Sequence, residues 1–301
     1  MTYTRREFLR TGSILATGCA LIPGSTWAAS NTNQLTGIQL YSIRDDMKKD
    51  PHSTLTKLAE MGYKYVEHAN YVNRKFYGWT PKEFKKVLAD LGLSMRSGHT
   101  VLRKNHWDSA KKDFTVQWKN TVEDAAFMGQ EFVISPWLDE TLRQNKDALV
   151  KYMDVFNKCG ELCAKSGMKF GYHNHDFEFS QKLDGTRVYD IILNNTDPKL
   201  VIQQLDIGNM VNGGAHAKNI MEQFPGRFVS MHVKDEIRSD TGKEKYESTI
   251  LGNGIIDVKS IIDLGSKHGT KHFIIEQESY QGKTPLESVK TDLARMKSWG
   301  Y

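Results

Sequence analysis

From residue 36 onward, short apolar runs of strand length alternate with longer amphipathic segments. The strand pattern falls on 36–42 (TGIQLYS), 63–68 (YKYVEH), 93–99 (LSMRSGH), 131–137 (EFVISPW), 168–175 (MKFGYHNH), 200–206 (LVIQQLD), 228–235 (FVSMHVKD) and 272–278 (HFIIEQE). The segments between them repeat apolar residues at helical spacing. STLTKLAEMG begins at Ser53 and stops at Gly62. TPKEFKKVLADLG offers Thr80 as N-cap, Pro81 in the first turn and Gly92 as a stop. A helix after every strand predicts a parallel sheet, and eight such units predict closure into a (β/α)8 TIM barrel. The rival is a doubly wound open sheet. No Gly-rich fingerprint follows the first strand, which weakens a dinucleotide-binding version of it.

The N-terminus breaks the rhythm. MTYTRREFLRTGSILATGCALIPGSTWAAS pairs Arg5 with Arg6 and continues into a modestly apolar stretch, resembling a twin-arginine export signal. The expected division is therefore 1–28 as signal peptide, cut after Ala28, and 29–301 as barrel. A frayed terminal helix is the bland alternative. Cys19 offers lipid attachment as a minor alternative, disfavoured because Ala16 rather than Leu stands three residues before it. The apolar stretch is too short and weak for a stable membrane span in the mature protein. Export predicts a periplasmic location. Cys159 and Cys163, four apart on one helix face, read as small buried residues; a disulfide there would be strained.

Composition is that of an ordinary globular protein, with 39% hydrophobic and 26% charged residues. Part of the formal net charge of +5 sits on Arg5, Arg6 and Arg10, and no long basic run follows. A nucleic-acid partner is therefore not expected. A homo-oligomer is left open.

Candidate chemistry gathers at the C-terminal ends of the later strands, where barrels build their sites. Residues i and i+2 share a strand face, which pairs His173 with His175, Gln204 with Asp206, His232 with Lys234, and Glu276 with Glu278. Packing such groups beneath helices is costly, so the interior mouth is the expected place for them. Two histidines, an aspartate and a glutamate from four neighbouring strands form a divalent-metal set suited to Mn2+, Zn2+, Co2+ or Fe2+. Taken singly, each is more often a hydrogen-bonded mouth residue.

In this order and spacing, GIQLYSIRD, GYKYVE, YHNHDFEF, QLDIGN, HVKD, LGNGIID and IIEQE resemble the xylose-isomerase-like TIM barrel superfamily of sugar phosphate isomerases/epimerases and inosose dehydratases. The resemblance covers roughly residues 35 to 299. It implies one divalent metal held by Asp206, His232, Glu276 and a residue at position 173. There this chain has His173, where many relatives carry Glu. That departure disfavours a symmetric two-glutamate epimerase and favours elimination, hydration or one-sided enolisation. Sequence alone leaves His173 and His175 competing as inner ligand. The choice taken is His173 on the metal and His175 in the pocket, with Asp176 and Glu178 as loop or outer-face residues.

Glu67 is a candidate base or hydroxyl-binding group, with a mouth salt bridge as its alternative. His99, Trp137, Gln39 and Arg238 are candidate substrate contacts. Lys234 is a candidate for holding a substrate oxygen. The expected activity is a metal-dependent lyase, dehydratase or isomerase on a small-molecule carbohydrate. A ketose 3-epimerase and a non-catalytic carbohydrate-binding barrel are the alternatives.

Overall fold

The computed structural model describes residues 35–239 and 245–301. The proposed signal peptide and Cys19 lie outside the described residues. Eight strands are hydrogen-bonded in parallel: β1 (Leu35–Gln39), β2 (Tyr65–His68), β3 (Ser94–His99), β4 (Phe132–Ser135), β5 (Lys169–His173), β6 (Val201–Asp206), β7 (Phe228–Val233) and β8 (His272–Ile275). Each pairs with its sequence neighbours, and β1 pairs with β8, so the sheet closes and the doubly wound alternative is excluded. The strands are shorter than the sequence suggests. Residues 40–43 turn into a 3-10 helix, and Lys234 and Glu276 stand just beyond β7 and β8.

Eight main helices follow the strands: α1 (Pro51–Met61), α2 (Pro81–Asp90), α3 (Val116–Met128), α4 (Lys146–Ala164), α5 (Val188–Asn194), α6 (Ala217–Gln223), α7 (Val258–Lys267) and α8 (Pro285–Ser298). Their ends are written locally. Thr80 and Glu83 form a capping box before α2, with Pro81 in the first turn; Thr284, Glu287 and Pro285 repeat the device at α8. Asp50, rather than Ser53, caps α1, and Gly62 closes it at φ 99°. Cys159 and Cys163 are buried free thiols in α4. Among the described residues no helix is long and apolar enough to cross a membrane.

Inside the barrel, Ile134, Ile202 and Ile274 crowd Gly171 and Gly37 at the lower level. Above them the interior turns polar, with buried Gln39, Glu67, Ser97, Gln204, Ser230 and His232. Two-stranded hairpins follow β2, β3, β5 and β7; the last, Asp235–Arg238 with Tyr246–Thr249, stands beside the mouth.

Candidate metal centre

Register places the four candidate ligands side by side. Asp206 at the end of β6 lies opposite His232 of β7, and His173 at the end of β5 lies opposite Gln204. Glu276 follows β8, its N–H bonded to the Val233 carbonyl. One donor atom from each of His173, Asp206, His232 and Glu276 falls within 4.8 Å of the others, and all four residues are buried. His232 Nδ1 is 3.0 Å from Glu276 Oε2 and 3.9 Å from Asp206 Oδ2; His173 Nε2 is 4.0 Å from Asp206 Oδ2. His99, His173 and His232 form a second close group. In that group His99 Nε2 is already 2.7 Å from Gln204 Oε1 and 3.2 Å from Glu67 Oε1.

Three of the four candidate ligands, His232, His173 and Asp206, are oriented from behind. His232 Nε2 lies 2.6 Å from Glu67 Oε1. Glu67 in turn accepts from Gln39 Nε2 at 2.8 Å, Gln204 Nε2 at 2.9 Å and the Ser97 hydroxyl. Gln204 Oε1 is 3.1 Å from His173 Nδ1. Asp206 Oδ1 caps the short helix Ile207–Asn212 by accepting from Asn209 N–H, and Asn174 bonds both the N–H and the carbonyl of Asp206. A carboxylate or amide behind each imidazole is how proteins fix the ring and tautomer of a metal ligand.

The sequence model of the family described as "Xylose isomerase-like TIM barrel" matches residues 55–299. The chain belongs to that family. It is 26% identical over 261 residues to an inosose dehydratase of Clostridium botulinum, covering 78% of this chain and 80% of that protein. Other inosose dehydratases are matched over about half their length, 46% for that of Geobacillus thermodenitrificans. A sugar phosphate isomerase/epimerase structure from Parabacteroides distasonis superposes with TM-score 0.74 at 26% identity, covering 92% of this chain and 98% of that one. At 13% identity and TM-score 0.67, a protein called IOLI, solved with a bound zinc atom, shares the fold over 89% of this chain and 98% of its own.

Does the cluster in this xylose-isomerase-like barrel fit a divalent cation? Asp206 Oδ2 is buried and accepts no hydrogen bond; Lys234 Nζ, 3.1 Å away, compensates its charge without bonding geometry. Burial, then the neighbouring His232, hold the His173 imidazole neutral, the form that ligates. Glu276 is ionised well below the ordinary carboxylate range: burial opposes this, but Lys234 and His232 outweigh it. Burial would lower His232 too, yet Glu276 and Glu67 push it up to about 10. Glu276 and Glu67 thus keep a proton on the ring between them, which a bound cation would displace. A buried carboxylate oxygen without a hydrogen bond, a neutral imidazole and an ionised carboxylate within reach of one another suit a divalent cation, so the residues fit.

The cavity above the cluster has a volume of about 870 Å³ and is walled by His99, Trp137, His173, His175, Glu276 and Glu278, among others. His173 belongs to the donor cluster and His175 to the wall. Trp137 is 37% exposed there; the Arg143 guanidinium stands 4.8 Å from its ring and 3.7 Å from that of Phe177.

Several predicted residues lie elsewhere. Gln39 and Glu67 are wholly buried beneath the cluster, so they support His232 and do not face the cavity. Lys234 is 2% exposed and pairs with Glu278 at 2.7 Å, Glu276 at 2.9 Å and Asp206 at 3.1 Å; its ammonium is spent on carboxylates. Gly208 leaves room for its stem, since a Cβ there would stand 2.7 Å from Lys234 Cδ. Arg238 is exposed on the hairpin, outside the cavity wall. Asp176 is an exposed rim residue as expected, but Glu178 is fully buried: it accepts the His175 N–H at 2.8 Å and the Tyr172 hydroxyl. Burial lifts it to about 8. Sequence reasoning missed Tyr41, Asn209, Asn212, Lys245 and Tyr246 on the wall. Tyr41 and Asn209 sit inside GIQLYSIRD and QLDIGN, which could have flagged them; Lys245 and Tyr246 carried no signal.

Proposed function

We propose that this chain is a divalent-metal-dependent lyase or dehydratase that removes a proton beside a carbonyl of a sugar, keto-sugar or glycoside. The observation that carries it is the asymmetry of the site. Glu276 stands on one side, and on the other, where a second glutamate would serve a two-base epimerase, stand the imidazoles of His173 and His175.

His173, Asp206, His232 and Glu276 would hold the cation, which supplies Lewis acidity that polarises the substrate oxygen and acidifies the adjacent C–H. The chain supplies the rest. Burial, then Lys234, hold His175 low, at about 4, so its imidazole is neutral, and its ring lines the cavity wall. It takes the proton from carbon; the electron pair left behind forms a double bond as the group on the next carbon leaves with its own pair. Glu178 fixes the backbone of that histidine. Lys234 keeps Asp206 and Glu276 aligned and ionised. Trp137 offers the apolar face of a sugar ring a surface to stack on. An exported protein meets mainly unphosphorylated sugars, which makes free sugars and glycosides the better substrates to test.

The test begins with metal analysis of purified protein, followed by a screen of oxidised and unoxidised glycosides in D2O under Mn2+, Zn2+, Co2+ or Fe2+. Deuterium uptake beside the carbonyl with an unsaturated product, both lost in His175→Ala, is the expected result. Reversible inversion at C2 or C3 of free ketoses points instead to the epimerase. Bound metal and bound sugar without turnover point to the carbohydrate-binding barrel. Protein that holds no metal, with Asp206→Ala behaving as wild type, overturns the metal reading.

A further inference from the structure

A second cavity of about 950 Å³ adjoins the first and shares Ala69, His99, Val101 and Arg103 with it as a common wall. It lies among the hairpin after β2, the loop after β3 and the first turns of α3. We infer that it is a second sugar subsite, and that the substrate is a glycoside of at least two rings: the reacting ring beside His173 and Glu276, the second in this groove. The inference rests on the carbohydrate reading of the first cavity.

The chemistry of the wall carries it. Asn70, Asn73, Asn105, Gln117 and Asn120 line the groove, and among the described residues none of their amide side chains hydrogen-bonds to the protein. A primary amide both donates and accepts, as does every sugar hydroxyl; a carboxylate only accepts and an ammonium only donates. Five unengaged amides therefore match a polyhydroxylated ring whatever the orientation of its hydroxyls.

The charges on this wall are mostly spent. Arg74 is held by Asp124 at 2.6 Å and Glu123 at 3.0 Å, and the Tyr71 hydroxyl also donates to Asp124 at 2.6 Å. Val72, 59% exposed, adds an apolar patch for a C–H face. Size agrees: each cavity is large enough for a whole small ligand, so a monosaccharide at the metal cluster leaves the groove vacant.

Arg103 stands on the wall shared by both cavities, and its guanidinium donates to no protein group among the described residues. It is placed to reach the glycosidic oxygen or a hydroxyl beside it.

The experiment measures affinities of the metal-loaded full chain for glucose against cellobiose, lactose, maltose and trehalose, by calorimetry and ligand-observed NMR. Wild type is compared with Asn105→Ala/Gln117→Ala/Asn120→Ala and with Asn120→Trp, which fills the groove. At least one disaccharide is expected to exceed glucose by about tenfold, the worth of one or two net hydrogen bonds. In both variants the ratio is expected to fall to about one, with thermal melts verifying the fold. A wild-type ratio of one, or a ratio unmoved by both variants, overturns the subsite. Failure of every sugar to bind also overturns it; metal content of the same sample then reports separately on the ligand cluster.

Discussion

Strands β1–β3 bring Gln39, Glu67, Ser97 and His99 to the barrel mouth; strands β5–β8 bring His173, Asp206, His232 and Glu276. The two halves draw on similar side chains, yet their polar atoms are spent differently. In the first half the bonds run inward, onto Glu67, which Gln39, Ser97, Gln204 and His232 all reach. Glu67 is consequently ionised down to about 2: burial opposes this, and His99 and His232 outweigh it. In the second half atoms remain uncommitted: Asp206 Oδ2 accepts no bond, and His173 Nε2 faces it across 4.0 Å. Residue type alone does not separate the two halves; the uncommitted atoms of Asp206 and His173 do.

That contrast can be broken in graded steps. Asp206→Ala removes a direct ligand and is expected to abolish stoichiometric metal binding, read by elemental analysis after dialysis, with turnover lost alongside. Glu67→Gln keeps the shape of the support but removes its charge. It is expected to weaken metal affinity about 10- to 100-fold while leaving full occupancy at saturating metal. If calorimetric titration finds the two equal, the division into ligand and support fails.

Trp137→Ala touches the wall and neither half. Sugar affinity is expected to fall about tenfold, on the order of 1.4 kcal/mol, with metal content unchanged. A last step leaves metal and sugar binding alone and concerns the backing of the second half. Asp292 accepts the Leu251 N–H, and burial holds its carboxyl up at about 7 against an ordinary 3.8. The native state then keeps a proton that the unfolded chain has released. Stability therefore falls as pH rises from about 4 to 7. Asn at position 292 should flatten that slope in urea midpoints measured at several pH values, leaving metal uptake intact.

Period and spacing made the barrel legible. Alternation along 168–175 and 228–235 put His173 and His232 inside, and neighbouring strand ends brought Asp206 and Glu276 to them. What short-range pattern could not supply was partnership at long separation. Glu67 reaches His232 across 165 positions and Gln204 across 137, so its place beneath the cluster is visible only after the sheet closes. Lys234 looked like a free cation for the same reason: its three carboxylates come from β6 and the segment after β8. Glu178 follows the strand pattern's end, and nothing local announces that Tyr172 and the His175 N–H will bury it.

The Asp235 carboxylate accepts N–H groups from Glu236, Gly252, Gly254 and Ile256, tying the first leg of the mouth hairpin to the turn that leads from its second leg into α7. The hairpin is thus riveted at its base, close to Lys234. Tyr246, on the second leg, lines the cavity above that rivet. A designer, or natural variation, can exchange Tyr246 and retune what enters the cavity while the Asp235 anchor beside what would hold the cation stays in place.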